Sequence, residues 1–263
     1  MSRSPTPFGQ HLKFWRQQRG LSQLQLAHRA ETTPRHLSFL ETGRSRPGRA
    51  LVLRLAESLE LRIRDSNALL AAAGLQPAYP ERPLEADELQ PYRRAIETIL
   101  QRHDPYPGCA LDGYGQVRLA NHTCRAMYPG IEARTAEESL DAFLGPGPGR
   151  QLVANWAEVA WAALDRLRLE LARTHDPRLQ ALVERGTAHL EGVPRPASLP
   201  ANPPPALGVK MRVGERIIET FTTVLRFDTA REVTLSELRV ELVFPADDAG
   251  DAFFRGLADV GAR

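Results

Sequence analysis

Apolar residues in the first quarter of the chain recur at three- and four-residue intervals. Phe8, Leu12 and Trp15 share one face of a helix predicted over 8–19, with Lys13, Arg16 and Arg19 elsewhere on its circumference. Pro7 and Gly20 supply a start and a stop. Ser22 is placed to cap a second helix over 23–29, whose apolar positions are Leu24, Leu26 and Ala27. Thr33 and Pro34 open a third, in which Leu37 and Leu40 face inward and Gly43 ends the run. After a loop over 44–48, a fourth helix over 49–59 buries Leu51, Leu55, Ala56 and Leu59. A fifth over 63–73 buries Leu69 and Leu70. The few residues between helices two and three force a sharp turn and set the third across the second.

Beyond this bundle the pattern changes. Residues 76–83 carry three prolines and read as an extended connector. An amphipathic helix follows over 89–103, then a hairpin with arms 109–112 and 116–121 around Gly113-Tyr114-Gly115, and a short helix over 124–128. Glycine and proline alternate over 145–149 and break the chain before its longest predicted helix, 151–174, which carries a broad apolar stripe through Val153, Trp156, Trp161, Leu164 and Leu171. Another helix is expected over 177–190, a proline-rich irregular stretch over 194–205, and strands over 206–213, 217–227 and 238–244. Strands at both ends with helices between them predict an α+β domain whose last strands return to the hairpin. The expected organisation is an all-α five-helix domain over 1–75, a linker over 76–88, the α+β domain over 89–246, and a tail over 247–263 able to form a helix.

Charge sharpens this division. Residues 1–80 hold twelve Lys+Arg against five Asp+Glu, whereas 81–263 hold twenty-two against twenty-seven, although the whole chain is only +2. A basic unit joined to an acidic one points to a polyanion partner for the first alone. At 263 residues, 42% hydrophobic and 25% charged, the chain suits two globular domains. No apolar run reaches the roughly eighteen residues a membrane span needs, and 1–8 lack the layout of a signal peptide, so a cytoplasmic location with no membrane partner is expected. Two cysteines, Cys109 and Cys124, form no disulfide framework. With His103 and His122 they also lack the tight repeated pairs of a metal site. No nucleophile elbow or phosphate-cradling loop is present, so neither an enzyme nor a metal or cofactor site is expected.

Leu21-Ser22-Gln23-Leu24-Gln25-Leu26-Ala27, followed by Thr33 through Pro47 with its Leu40-Glu41-Thr42-Gly43 close, resembles the phage-repressor-like (XRE) helix-turn-helix family. The likeness covers about 8–74 and departs at Glu31, where that family often has glycine. It implies that the third helix enters the major groove of double-stranded DNA. Thr33, Arg35, His36, Ser38 and Phe39 are then the candidates for reading bases, with Arg35 suited to guanine and Phe39 to a thymine methyl. Gln23, Arg16, Arg44 and Arg46 are candidates for phosphate contacts, although exposed arginines are common enough to be a solvated face instead.

The second region also resembles a family. Asp104-Pro105-Tyr106-Pro107, Leu111-Asp112 with Val117 and Ala120-Asn121, Asn155-Trp156, and Glu241-Leu242-Val243-Phe244-Pro245-Ala246 are similar, in order, to the MmyB-like transcription regulators. The two resemblances together imply a multidomain chain: an all-α five-helix phage-repressor-like helix-turn-helix domain followed by an α+β PAS-like domain. They imply a homodimeric regulator whose second domain binds a small apolar ligand such as a fatty acid. Met127, Tyr128, Trp156 and Phe221, beside Trp161 and Phe143, either line that pocket or simply fill the core. Asn121 and Asn155 either cap local helices or orient a ligand. Two rivals stand beside this reading: a protein-interaction module without a ligand, and an enzyme anchored by the basic domain.

Overall fold

A computed structural model describes residues 6–196 and 207–261. They divide into two compact units, one running up to Pro83 and taking in Thr229–Ser236, the other holding Leu84–Asp228 and the chain from Glu237 onward.

The first unit contains α1 (Pro7–Gln18), α2 (Gln23–Arg29), α3 (Pro34–Glu41), α4 (Arg49–Ser58) and α5 (Ile63–Ala72). Side chains satisfy the open amides at the first three starts: Thr6 accepts from Gly9, Thr33 accepts from His36, and Ser22 forms a capping box with Gln25. Phe8, Leu12, Leu26, Leu37, Leu40, Leu55, Leu59, Leu69 and Leu70 meet in one core. Each such burial is worth about 2 kcal/mol, which is what holds helices too short to persist alone. Leu24, expected on the inward stripe, is instead 67% exposed. It stands two residues from Leu26, and positions two apart on a helix face opposite ways.

The turn between α2 and α3 brings Glu31 to φ 50°, in the left-handed region. That geometry explains a preference for glycine there and costs this chain about 1 kcal/mol. Residues of the proline-rich stretch are tied down within the unit. Asn67 donates to the Tyr79 carbonyl and accepts from the amides of Ala78 and Tyr79, and Arg49 donates to the carbonyls of Gln76 and Pro77. Buried Glu232 accepts from the amides of Arg82 and Leu235, and Thr234 donates to the Arg82 carbonyl.

The second unit begins with a 3-10 turn at Asp87–Leu89 and α6 (Gln90–His103). A hairpin of β1 (Gly108–Leu111) and β2 (Val117–Ala120) leads to α7 (His122–Met127), α8 (Ala136–Leu144), α9 (Pro148–Leu152), α10 (Trp156–Thr174) and α11 (Pro177–His189). Then come β3 (Lys210–Val213), β4 (Arg216–Arg226), β5 (Arg239–Pro245) and α13 (Asp248–Gly261), while the short α12 (Val233–Glu237) between β4 and β5 belongs, up to Ser236, to the first unit. The strands form one antiparallel sheet in the order β2-β1-β5-β4-β3, so the last strand does return to the hairpin, seated between β1 and β4. This is the α+β architecture expected, with five helices inserted between β2 and β3.

Two boundaries differ from the pattern. The helix expected from 151 starts at Trp156, because Val153 is extended and bridges to Met211 while the Ala154 amide donates to the Lys210 carbonyl. The strand expected over 206–213 is regular only from Lys210, and 197–206, including most of the stretch predicted irregular, lie outside the described residues.

α1 and α3 approach so closely that a methyl group on Gly9 would stand 2.6 Å from the Glu41 carbonyl oxygen and 2.7 Å from that of Leu40. Helix propensity and packing therefore make opposite predictions for Gly9→Ala. Propensity favours alanine by about 0.5–1 kcal/mol, whereas forcing two backbones apart costs about 1–3 kcal/mol. Urea denaturation of Gly9→Ala should show a loss of stability; a gain would mean that the α1–α3 approach is looser than described.

Candidate functional site

The outward face of α3 carries most of the side chains the sequence singled out. Arg35 is exposed, and its guanidinium carbon lies 5.4 Å from the centre of the Phe39 ring, with that of Arg44 5.9 Å from the same ring. Two cations over one half-buried aromatic hold both arginines near the helix surface while leaving their donors open. Ser38 is half-buried and Thr33 is exposed at the helix start. His36 is braced: Nδ1 lies 3.2 Å from Thr32 Oγ1 and Nε2 lies 3.3 Å from Ser45 Oγ. It therefore fixes the loop bearing Arg44 and Arg46, both exposed and without an ion-pair partner among the described residues.

Arg16 is a correction. Arg16 donates from Nε and Nη2 to the two carboxylate oxygens of Glu41 at 2.6 and 3.1 Å, and from Nη1 to the Leu21 carbonyl at 2.8 Å. Its side chain is only 11% exposed, and that of Glu41 3%. Gln23 donates to the same carboxylate at 2.9 Å. A buried carboxylate demands such partners, so these two groups hold α1, α2 and α3 together; the Arg16 guanidinium is thereby taken from phosphate, while Gln23 stays half-exposed at the α2 start.

In the second unit, register decides which residues share a face. Glu241 of β5 pairs across the sheet with Val224 of β4 and Cys109 of β1, and Arg239 pairs with Arg226 and Leu111. These six point one way, opposite to Val240 and Leu242. Arg166 of α10 comes to the same face, 3.6 Å from Glu241, which also accepts from Arg239 at 2.9 Å. Burial holds the Arg166 guanidinium below its ordinary pKa, helped by the neighbouring Arg239 and Arg226 cations and opposed by Glu241. Yet 57% of its side-chain surface is accessible. Tyr128 combines the same two properties: it is 40% exposed, while burial and the nearby thiols push its hydroxyl up. Accessible surface with protein crowded around it is the mark of a cleft wall rather than of a side chain in bulk water. Three guanidiniums with one carboxylate leave that cleft cationic at one end.

Five expected ligand residues fall elsewhere. Asn121 caps α7, its Oδ1 accepting from Gly108 and Cys124 and its Nδ2 donating to the carbonyls of Leu100 and Tyr106. All four of its hydrogen-bonding positions are filled, so none is left for a bound molecule. Asn155 accepts from the Lys210 amide and donates to the Gly208 carbonyl, anchoring the start of β3. Trp156 is buried with its indole donating to the Phe143 carbonyl and Arg150 stacked 4.2 Å from its ring. Phe221 stacks on Phe244 on the opposite sheet face. Met127 packs with Met211, Ile218 and Phe254. Tyr128 alone of the six is half-open with protein crowded around it, beside the two thiols.

The sequence reading missed Arg166, Arg226, Arg239 and Glu241. The alternation of Thr220, Thr222, Val224 and Arg226 along β4 was a visible signal for one of them. Pairing between strands and with α10 was not.

Comparison with protein families finds two matches. A model described as the MmyB-like transcription regulator ligand binding domain matches 92–257, and one described as helix-turn-helix matches 12–65. No curated protein matches the chain. Among the described residues no helix is long and apolar enough to cross a membrane, and no cluster of three or more metal-ligating side chains occurs.

Arg16 and Arg44 now make contrasting predictions. Arg16→Ala strands a buried carboxylate and should cost about 3 kcal/mol of stability, whereas Arg44→Ala should stay within about 0.5 kcal/mol. Thermal melts of the two variants test this, and equal melting temperatures would contradict the buried network.

Proposed function

The chain belongs to the MmyB-like transcription regulators, and we propose on that footing that α3 reads duplex DNA while an amphipathic ligand in the second unit controls the outcome. The two matched domains are those of a DNA-binding transcription regulator. What carries the finer reading is the α3 surface, where cations flank an aromatic ring that no buried contact requires. Arg35, Ser38 and Phe39 meet base edges, and the α3 start at Thr33 offers backbone amides to phosphate. Arg44 and Arg46, set by His36 through Ser45, neutralise phosphates and contribute affinity without sequence preference.

The ligand is a small apolar molecule with an acidic head, of which a fatty acid is the simplest example. Val224, Leu111 and Tyr128 give its chain an apolar wall, and Arg166, Arg226 and Arg239 outnumber Glu241 where its head would lie. Guanidinium suits a carboxylate because its paired N–H donors match the two oxygens. The regulator acts as a homodimer, since two recognition helices reach half-sites about one helical turn apart only when protomers are held at a set spacing. Ligand binding shifts DNA affinity to the extent that it favours one such spacing over another.

On DNA, Arg35→Ala should relax base preference at one position, while Arg44→Ala should weaken all sequences alike and lower the salt slope by about one. Selected-site binding at two salt concentrations separates these outcomes, and an Arg35→Ala variant with unaltered affinity and preference would contradict the assignment of α3. For the ligand, the purified full chain is extracted into organic solvent and titrated with myristate. An apolar acid in the extract is expected, and Arg166→Met should weaken myristate binding about tenfold while leaving tetradecanol binding unchanged. A clean extract, no myristate binding and a stoichiometric protein partner would favour an interaction module instead.

A further inference from the structure

Cys109 and Cys124 serve neither the DNA surface nor the core of the cleft. They are fifteen positions apart, on β1 and in the first turn of α7, yet Cys109 packs against the small cluster in which Cys124 is buried with Val117 and Ala120. Asn121 is the reason they meet. Its Oδ1 takes the Gly108 amide at 3.1 Å and the Cys124 amide at 3.0 Å, and its own amide donates to the Gly108 carbonyl at 3.0 Å. One carboxamide thus clamps the residue before Cys109 to the residue bearing Cys124. Both sulfurs are free, Cys124 buried and Cys109 partly exposed on the cleft face opposite Glu241.

We propose that Cys109 and Cys124 are an oxidisable dithiol that closes to an intramolecular disulfide when a hydroperoxide enters the cleft. Side chains packed in one cluster need only a rotation about Cα–Cβ to bring their sulfurs to the roughly 2 Å of a disulfide, and the clamp holds the two backbones in place while they do. Donation from Cys109 also eases ionisation at Cys124, against the opposing effect of burial. The Cys124 sulfur attacks the peroxide oxygen: an S–O bond forms, the O–O bond breaks, and the departing oxygen leaves as water or an alcohol with the thiol proton. Cys109 then attacks the Cys124 sulfur, the S–S bond forms, the S–O bond breaks, and hydroxide leaves as water with the Cys109 proton. Two thiols are oxidised by two electrons, and one hydroperoxide is reduced. The product ties β1 covalently to α7, whose far end carries Tyr128 of the cleft wall.

The test uses the reduced full chain treated with hydrogen peroxide, followed by thiol counting, intact mass and peptide mapping. Both thiols should disappear in a single phase, the mass should fall by two hydrogens, and one peptide pair should join Cys109 to Cys124 within a monomer on a non-reducing gel. Dithiothreitol should restore both thiols. Cys109→Ala, at the more exposed position, should keep its fold and replace the disulfide by a sulfenic acid at Cys124 that dimedone traps; Cys124→Ala should likewise give no internal bond. Two unreacted thiols after oxidation, stepwise overoxidation of one sulfur, or only intermolecular bonds would overturn the proposal. These readouts do not involve DNA or fatty acid, so they stand or fall apart from the ligand reading.

Discussion

The first unit depends on one buried carboxylate. Glu41, at the end of α3, is removed from water and would be costly there without partners, so its position is dictated by where Arg16 of α1 and Gln23 of α2 can reach it. That requirement fixes three helices about a single point. Gly9 makes the arrangement possible by letting the α1 backbone lie against the α3 carbonyls. With the inner side of α3 committed in this way, Arg35, Phe39 and Arg44 are turned outward on a rigid support. A DNA-reading surface needs that rigidity, because side chains that wander lose the geometry that distinguishes one base edge from another.

The second unit uses a different device for a similar end. Strand alternation separates an aliphatic face, with Val240 and Leu242 buried, from one carrying Glu241, Arg239 and Arg226. That second face stays open, with Arg226 exposed and Val224 45% exposed, so its charged groups keep water as well as one another for partners. Asn121 anchors the hairpin end of this face by joining β1, α6 and α7 through four hydrogen bonds.

Much of this was legible before any coordinates. Local signals reported themselves faithfully: Ser22 as a cap, Thr33 with Pro34, and the spacing of Leu37 and Leu40 each act within one turn of helix, and each forms as expected. That the terminal strands return to the hairpin followed from their apolar runs and from the economy of closing one sheet, although the order of the strands within it did not. What failed was long-range. An arginine headed for a buried carboxylate looks, in sequence, like one headed for phosphate, which is why Arg16 was misread. Asn121 and Asn155 were seen to need partners, but the backbone groups that satisfy them lie across a turn or fifty residues away. Phe221 was placed by its character, whereas the face it occupies depends on a parity that only strand pairing sets.

The central claim is that the first unit exists to hold a cationic helix surface against duplex DNA. Titration of the full chain into a pool of random-sequence duplexes, followed by fluorescence anisotropy at low and then raised ionic strength, tests it most directly. The account predicts association at low salt that weakens linearly on a logarithmic salt axis, as counterions displaced by arginine are restored. Absence of association at low salt, in a chain whose first unit is shown to be folded, would contradict it.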